Sequence, residues 1–131
     1  MPLNAPVILL VDDHPDSVEM YTVGLLAMGF QPLSAANADD AFARACECQP
    51  DVIVADVAMP GASGFELTRR LRGHARTKDA GIILLTGHAL DSARQEAAAA
   101  GADRFLLKPC LPEELALEIR DVIAHRRPVG Q

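Results

Sequence analysis

A chain of 131 residues, half of them hydrophobic and 23% charged, has room for one domain with one real core and is too short for two ordinary ones. Its net charge of −6 argues against nucleic-acid binding by the domain itself, which needs a basic face, and with no Trp and only 4% aromatics the core must be aliphatic. Three cysteines, Cys46, Cys48 and Cys110, cannot all pair internally, and the N-terminus lacks a basic region before a long apolar core, which predicts a reducing, cytoplasmic setting without a signal peptide. No stretch approaches the ~20 apolar residues of a membrane span.

The first predicted element is a strand over 7–11 (VILLV), which runs straight into two carboxylates, Asp12 and Asp13. Its apolar residues are continuous, as in a strand covered on both faces of a parallel sheet. Pro15 stands where a helix should start. Val18, Tyr21, Leu25 and Met28 then recur at intervals of three and four, and Gly29 stands where that helix should stop. The second strand, 30–35 (FQPLSA), is weaker. Pro32 cannot donate to a ladder, which assigns this strand to a sheet edge. Asn37 or Asp39 caps a helix over about 38–48.

The third strand, 52–55 (VIVA), ends at Asp56. Phe65, Thr68 and Leu71 mark the third helix, closed by Gly73. The fourth strand, 82–85 (IILL), ends at Thr86. EAAAAG at 96–101 is a helix end closed by Gly101. The fifth strand, 105–107 (FLL), ends at Lys108. Pro112 opens the last helix, with Leu115, Ile119, Val122 and Ile123 on its apolar side. The tail from Arg126 on (RRPVGQ) reads as frayed, or as cut from something longer.

Five strand–helix alternations predict an α/β fold with right-handed crossovers and helices on both faces of a parallel sheet. Of the common doubly wound orders, the flavodoxin-like 2-1-3-4-5 puts the second strand at an edge, where Pro32 is tolerated. The expectation is therefore a (βα)5 three-layer sandwich occupying 1–131 as a single domain, with its core at about 6–126 and short tails.

Ligands of such sheets sit at the carboxyl ends of the strands, where the strand order reverses. There the sequence delivers Asp12 and Asp13, Asp56, Thr86 and Lys108 to one rim. Carboxylates so gathered repel; one like-charge pair at ~4 Å costs about 4 kcal/mol at an effective dielectric near 20. Either some are protonated or a cation sits among them. Carboxylates with a backbone carbonyl and water suit Mg²⁺, which keeps open positions for phosphate oxygens. Lys108 adds a point charge and Thr86 a hydroxyl donor. Phosphoryl transfer needs mainly positioning and charge stabilisation, and an aspartate is a reasonable nucleophile for it.

The ordered set LLVDDH, VIVADVAMPGASG, ILLTGH and FLLKP resembles the receiver domain of two-component response regulators over nearly the whole chain. The resemblance implies that Asp56 is the phosphoacceptor. It implies that Asp13 and Asp56, with the backbone carbonyl of Ala58, hold Mg²⁺ (or Mn²⁺), and that Asp12 acts through water. Thr86 and Lys108 would contact the phosphoryl oxygens, the Lys108–Pro109 bond would be cis, and Met59, Pro60, Gly61 and Gly64 would form the loop after Asp56. Thr86 and Phe105 would be the switch pair. The implied partners are a sensor histidine kinase or phosphotransfer protein as donor, and an unidentified downstream protein or output domain, with no nucleic acid or membrane bound by this domain. The implied assembly is a monomer or weak homodimer, through the fourth and fifth helices. The sequence departs from the family where Gly87 follows Thr86 in place of the usual Ala, where Phe105 replaces the common Tyr, and where Ala58 and His88 occupy positions that modulate access of hydrolytic water.

Each residue also has a plainer reading. Asp12 and Asp13 suit a helix cap, Asp56 a loop cap, Thr86 a strand-end hydroxyl, Lys108 a solvated lysine, Phe105 mere core. His14 and His88 flank the rim and have the chemistry to ligate a transition metal, but no His/Cys spacing supports it. His74 and His125 read as surface residues, Cys46 and Cys48 as ordinary helix positions ~200° apart, and Arg69, Arg70 and Arg72 as a solvated helix face. Cys110 lies beside Pro109, close enough to the rim to be read as a reactive thiol. Two rival functions remain. One is a Mg²⁺-dependent phosphohydrolase that forms and turns over an aspartyl phosphate; haloacid-dehalogenase-type phosphatases place an acid two residues after the nucleophile, where this chain has Ala58. The other is a receiver-shaped module that binds partners without phosphorylation. No helix-turn-helix is present.

Overall fold

Every apolar run predicted as a strand forms one, and each helical spacing forms a helix. The computed structural model describes residues 5–88 and 90–125; the tail from Arg126 on, with the predicted last core residue, lies outside them. The order is β1 (Val7–Val11), α1 (Pro15–Ala27), β2 (Gln31–Ala35), α2 (Ala38–Cys48), β3 (Val52–Asp56), α3 (Gly64–Arg72), β4 (Gly81–Thr86), α4 (Asp91–Ala100), β5 (Arg104–Leu107) and α5 (Pro112–His125). The five strands form one parallel sheet in the order β2-β1-β3-β4-β5. Pro32 lies opposite Ile8 in the edge strand, as its missing donor requires.

The continuous runs resolve into two sides of a sheet. Ile8, Leu10, Val52, Val54, Ile83 and Leu85 face α1 and α5, where they meet Tyr21, Leu25, Leu115, Ile119 and Val122. Leu9, Val11, Ile53, Ala55, Ile82 and Leu84 face the other layer, with Ala41 and Ala45 of α2, Leu67 and Leu71 of α3, and Ala97 of α4. Successive residues alternate faces, so both must be apolar when helices cover both. The alanines on α2 and α4 let those helices approach closely. On α1, Met20, Val23 and Leu26 stay exposed.

Helix ends obey local chemistry. Asn37, not Asp39, caps α2: its side chain accepts from the Asp40 amide at 2.8 Å. Ser63 caps α3 in the same way. Gly101 closes α4 in a left-handed conformation at φ 105°. Gly64 is the first residue of α3 rather than part of the preceding loop. A Cβ there would stand 2.7 Å from the Asp56 carbonyl oxygen and 3.0 Å from the Val57 Cα, so only glycine lets α3 start against the end of β3.

The arginine run departs from the sequence expectation. Arg69 pairs with Glu96, and Arg70 pairs with Asp39 while lying over the Phe42 ring, so these two are surface residues. Arg72 is half-buried instead. Its guanidinium donates to the carbonyls of Gly101 (2.9 Å), Lys78 (2.8 Å) and Ala80 (2.6 Å) and pairs with Asp103 at 3.0 Å. Asp103 also accepts from the Ile82 amide at 2.8 Å. One side chain thus joins the end of α3, the entry to β4 and the end of α4. His74 is likewise half-buried, edge-on to Phe42, with Nδ1 accepting from the Arg76 amide. His125 is exposed, as expected.

Arg72→Ala should lower stability by about 2–4 kcal/mol, because several carbonyls and the Asp103 carboxylate lose a charged donor. Arg69→Ala should change it by under about 0.5 kcal/mol. Urea denaturation of both variants measures the contrast.

Candidate functional site

Four strands end at one rim, and the hydrogen-bond ladder continues past their ends into the residues that carry the chemistry. The Asp12 amide donates to Ala35 (3.1 Å), the Val57 amide to Leu85 (2.9 Å) and the Lys108 amide to Thr86 (2.7 Å). The backbone at or beside each functional residue is therefore held by the sheet. Asp12, Asp56 and Thr86 are 8%, 6% and 6% exposed, whereas charged and hydroxyl groups ordinarily sit at the surface.

The predicted carboxylates converge. Ligand atoms of Asp12, Asp13, His14 and Asp56 all lie within 4.8 Å of one another. Lys108 reaches the same place, its Nζ 3.1 Å from Asp56 Oδ2 and 4.0 Å from Asp12 Oδ2. His14 Nδ1 lies 3.1 Å from Asp12 Oδ1 and 3.2 Å from Asp13 Oδ1. The hydrogen bond to Asp12, then the charge of Asp13, raise the His14 pKa above the ordinary value. Asp13 Oδ1 is buried, and its contact with His14 lacks hydrogen-bond geometry, which leaves it without a hydrogen-bond partner among the described residues.

A buried, unpartnered carboxylate oxygen inside an acidic cluster is what a hard cation would satisfy. The donor set fits magnesium: Asp13 and Asp56 are within reach of one ion, Asp12 stands beside them, and Ala58 lies on the exposed loop after Asp56. Asp12 and Asp13 are not helix caps for α1. The N-cap is His14, and Asp12 accepts from its amide at 2.9 Å.

Thr86 lies at the rim, where its hydroxyl accepts from the His88 amide (3.1 Å) and donates to the His88 carbonyl (3.3 Å). The His88 side chain is exposed, while Phe105 is half-buried against the α2–α3–α4 layer with the Arg94 guanidinium 5.3 Å from its ring centre. The Lys108–Pro109 bond is cis, and Gly61 in the loop after Asp56 has φ 79°.

Tyr21 has a role the sequence did not disclose. Read only as an apolar helix position, it is 5% exposed, and its hydroxyl donates to the Cys110 carbonyl at 2.6 Å. It ties α1 to the turn that carries Lys108. Burial pushes its pKa up to about 12. The one available signal was that it is the chain's only tyrosine in an otherwise aliphatic set. Cys110 is itself buried, and burial raises its thiol pKa, the opposite of an activated nucleophile. All three cysteines are free.

The response regulator receiver domain matches residues 8–120 as a family. The chain belongs to that family. It is 36% identical over 121 residues to the phosphate regulon transcriptional regulatory protein PhoB of Pseudomonas aeruginosa, covering 92% of this chain and 53% of PhoB. The chain thus spans about half the length of that relative. Among solved structures it resembles the chemotaxis response regulator CheY4 of Vibrio cholerae, with a TM-score of 0.85 and 33% identity over 91% of this chain and 99% of that one. It also resembles the receiver domain of the sensor histidine kinase PA1611 from P. aeruginosa, with a TM-score of 0.84 and 28% identity over 92% of this chain and 98% of that one. The PA1611 structure has a magnesium ion coordinated in its active-site cleft. Receiver domains bind magnesium in such an acidic site, act as phosphoacceptors, and interact with histidine kinases and downstream effectors. Among the described residues no helix is long and apolar enough to cross a membrane.

The acids repel one another when no ion is present, so Asp13→Asn should raise metal-free stability by roughly 1 kcal/mol. Mg²⁺ at about a hundredfold excess over its Kd should add about 2.7 kcal/mol to the wild type and little to the variant. Thermal unfolding with and without Mg²⁺ checks both signs.

Proposed function

We propose that this chain is a receiver domain that accepts a phosphoryl group on Asp56 and passes on a change of surface. The observation that carries this reading is the Lys108 ammonium 3.1 Å from Oδ2 of a nearly buried Asp56, beside two further acids. Asp56 is the nucleophile. One of its carboxylate oxygens forms a bond to phosphorus as the bond from phosphorus to the donor's leaving atom breaks, and the leaving atom keeps the electron pair. The donor is a sensor histidine kinase or a phosphotransfer protein.

Asp13 and Asp56 would hold Mg²⁺ with the Ala58 carbonyl, and Asp12 would hold it through water. The ion supplies neutralisation of charge on the transferring group. Lys108 adds a fixed positive charge in a partly water-excluded position, where it acts on developing charge more strongly than in bulk water. The Thr86 hydroxyl, which bonds the His88 backbone before phosphorylation, turns to a phosphoryl oxygen. That movement frees space beside β4 and β5 into which Phe105 moves. Having no hydroxyl, Phe105 reports the change through packing alone.

Moving a conformational equilibrium from 1:99 to 99:1 takes about 5.5 kcal/mol of differential stabilisation. The new Lys108 and Thr86 contacts supply part of it. Ala58 provides no acid for hydrolytic turnover, so receiving a phosphoryl group suits the site better than phosphatase action. The cytoplasm is the compartment we assign, with the receiver as a single domain and its downstream target set by the changed face. Gly87 gives the loop after Thr86 more backbone freedom for that change.

Acetyl phosphate with Mg²⁺ should add the mass of one phosphoryl group to the wild type. Asp56→Asn or chelation of the ion should abolish the adduct. Lys108→Ala should slow its formation about a hundredfold, as loss of a preorganised charge donor does. Intact-protein mass spectrometry over time reads all three; an adduct that persists in Asp56→Asn would sink the assignment.

A further inference from the structure

The ring of His14 does none of the work its position suggests. As N-cap of α1 it makes no side-chain capping bond. Its side chain is 66% exposed and has open solvent to turn into. It lies instead over the acidic cluster, with Nδ1 at 3.1 Å from Asp12 Oδ1 and 3.2 Å from Asp13 Oδ1.

Those separations have a meaning beyond an ion pair. Adjacent ligand atoms around an octahedral ion with bonds of about 2.0–2.1 Å stand roughly 3 Å apart. Asp12, read as holding the ion through water, stands outside that coordination sphere; the imidazole nitrogen and Asp13 Oδ1 are already spaced as neighbours within it. That Asp13 oxygen is the buried one that lacks a hydrogen-bond partner among the described residues. An all-oxygen site suits magnesium, whereas an imidazole nitrogen adds affinity for ions later in the first transition row.

We infer that His14 is a nitrogen ligand to the cation held by Asp12, Asp13 and Asp56, and that it shifts this site from magnesium toward transition ions such as Co²⁺. The inference rests on the reading that the acidic cluster holds a divalent cation, and it adds what selects among such cations. Magnesium gains little from the nitrogen. The preference between ions is therefore carried by a residue outside the set that binds magnesium.

Calorimetric titration of the untagged protein with Mg²⁺ and Co²⁺, at one fixed pH, tests this in the wild type, His14→Ala, His88→Ala and Asp13→Asn. His14→Ala removes an exposed side chain that caps nothing, so the fold is retained. The expected result is a loss of Co²⁺ affinity of about tenfold or more in His14→Ala, since even groups one step removed from a metal change its affinity by about 10–100-fold. Mg²⁺ affinity should change far less. Pulsed electron paramagnetic resonance of bound Mn²⁺ should show imidazole nitrogen coupling in the wild type and His88→Ala and none in His14→Ala. If His14→Ala changes the two affinities by the same factor, including a uniform tightening as expected for a displaced counter-charge, the inference is overturned and the magnesium site stands. Nitrogen coupling that survives in His14→Ala overturns it too. A wild type that binds neither ion, or an Asp13→Asn variant that binds Mg²⁺ as well as the wild type does, removes the divalent-cation reading together with it.

Discussion

Lys108 closes the site by reaching over a strand. Its ammonium, at the end of β5, meets the carboxylate at the end of β3, and β4 runs between the two. That span is possible because all strands are parallel and end at one level, so that side chains from non-adjacent strands share a rim. β1 brings Asp12 and Asp13 to the same rim from the other side of β3. The sheet order is thus the constraint that dictates the chemistry, and the crowding of like charge is its consequence. The protein tolerates the crowding through Lys108, and a cation in the cluster would relieve the rest.

Much of this was legible in the sequence because the determining signals are local and ordered. Each strand is a short aliphatic run, and Pro32 marks the edge. The acids, threonine and lysine come at strand ends, where a parallel sheet must gather them. Interactions between segments far apart along the chain stayed hidden. An arginine on a helix reads as solvated, and nothing near Arg72 announces the three carbonyls that surround it. His74 read as a surface residue for the same reason. Tyr21 looked like one more apolar position, since a hydroxyl's partner 89 residues away leaves no periodic trace. His14 was visible beside the acids, but the direction of its ring was not. Asn37 and Asp39 were both acceptable caps by residue type, and only backbone geometry chose between them.

The two ends of the sheet use charge in opposite ways. At the rim, acids are gathered with too few cations, and the deficit makes a site. At the other end, acids are matched. The Asp51 side chain accepts from the Val7 amide at 2.8 Å, and Asp103 accepts from Ile82 while pairing with Arg72. These carboxylates satisfy amides where β1 and β4 begin, donors that would otherwise lack a partner at the strand's start. The matched end anchors the sheet, so the unmatched end is held in place although its charges repel.

The bond from the Lys108 amide to the Thr86 carbonyl, at 2.7 Å, joins the two residues proposed to contact a phosphoryl group through backbone rather than side chain. A pull on either one is felt by the other before any side chain has turned. Their tips have separate partners, Asp56 for the lysine and the His88 backbone for the threonine, but their roots are a single mechanical part, so an event at either is carried to the other through the main chain.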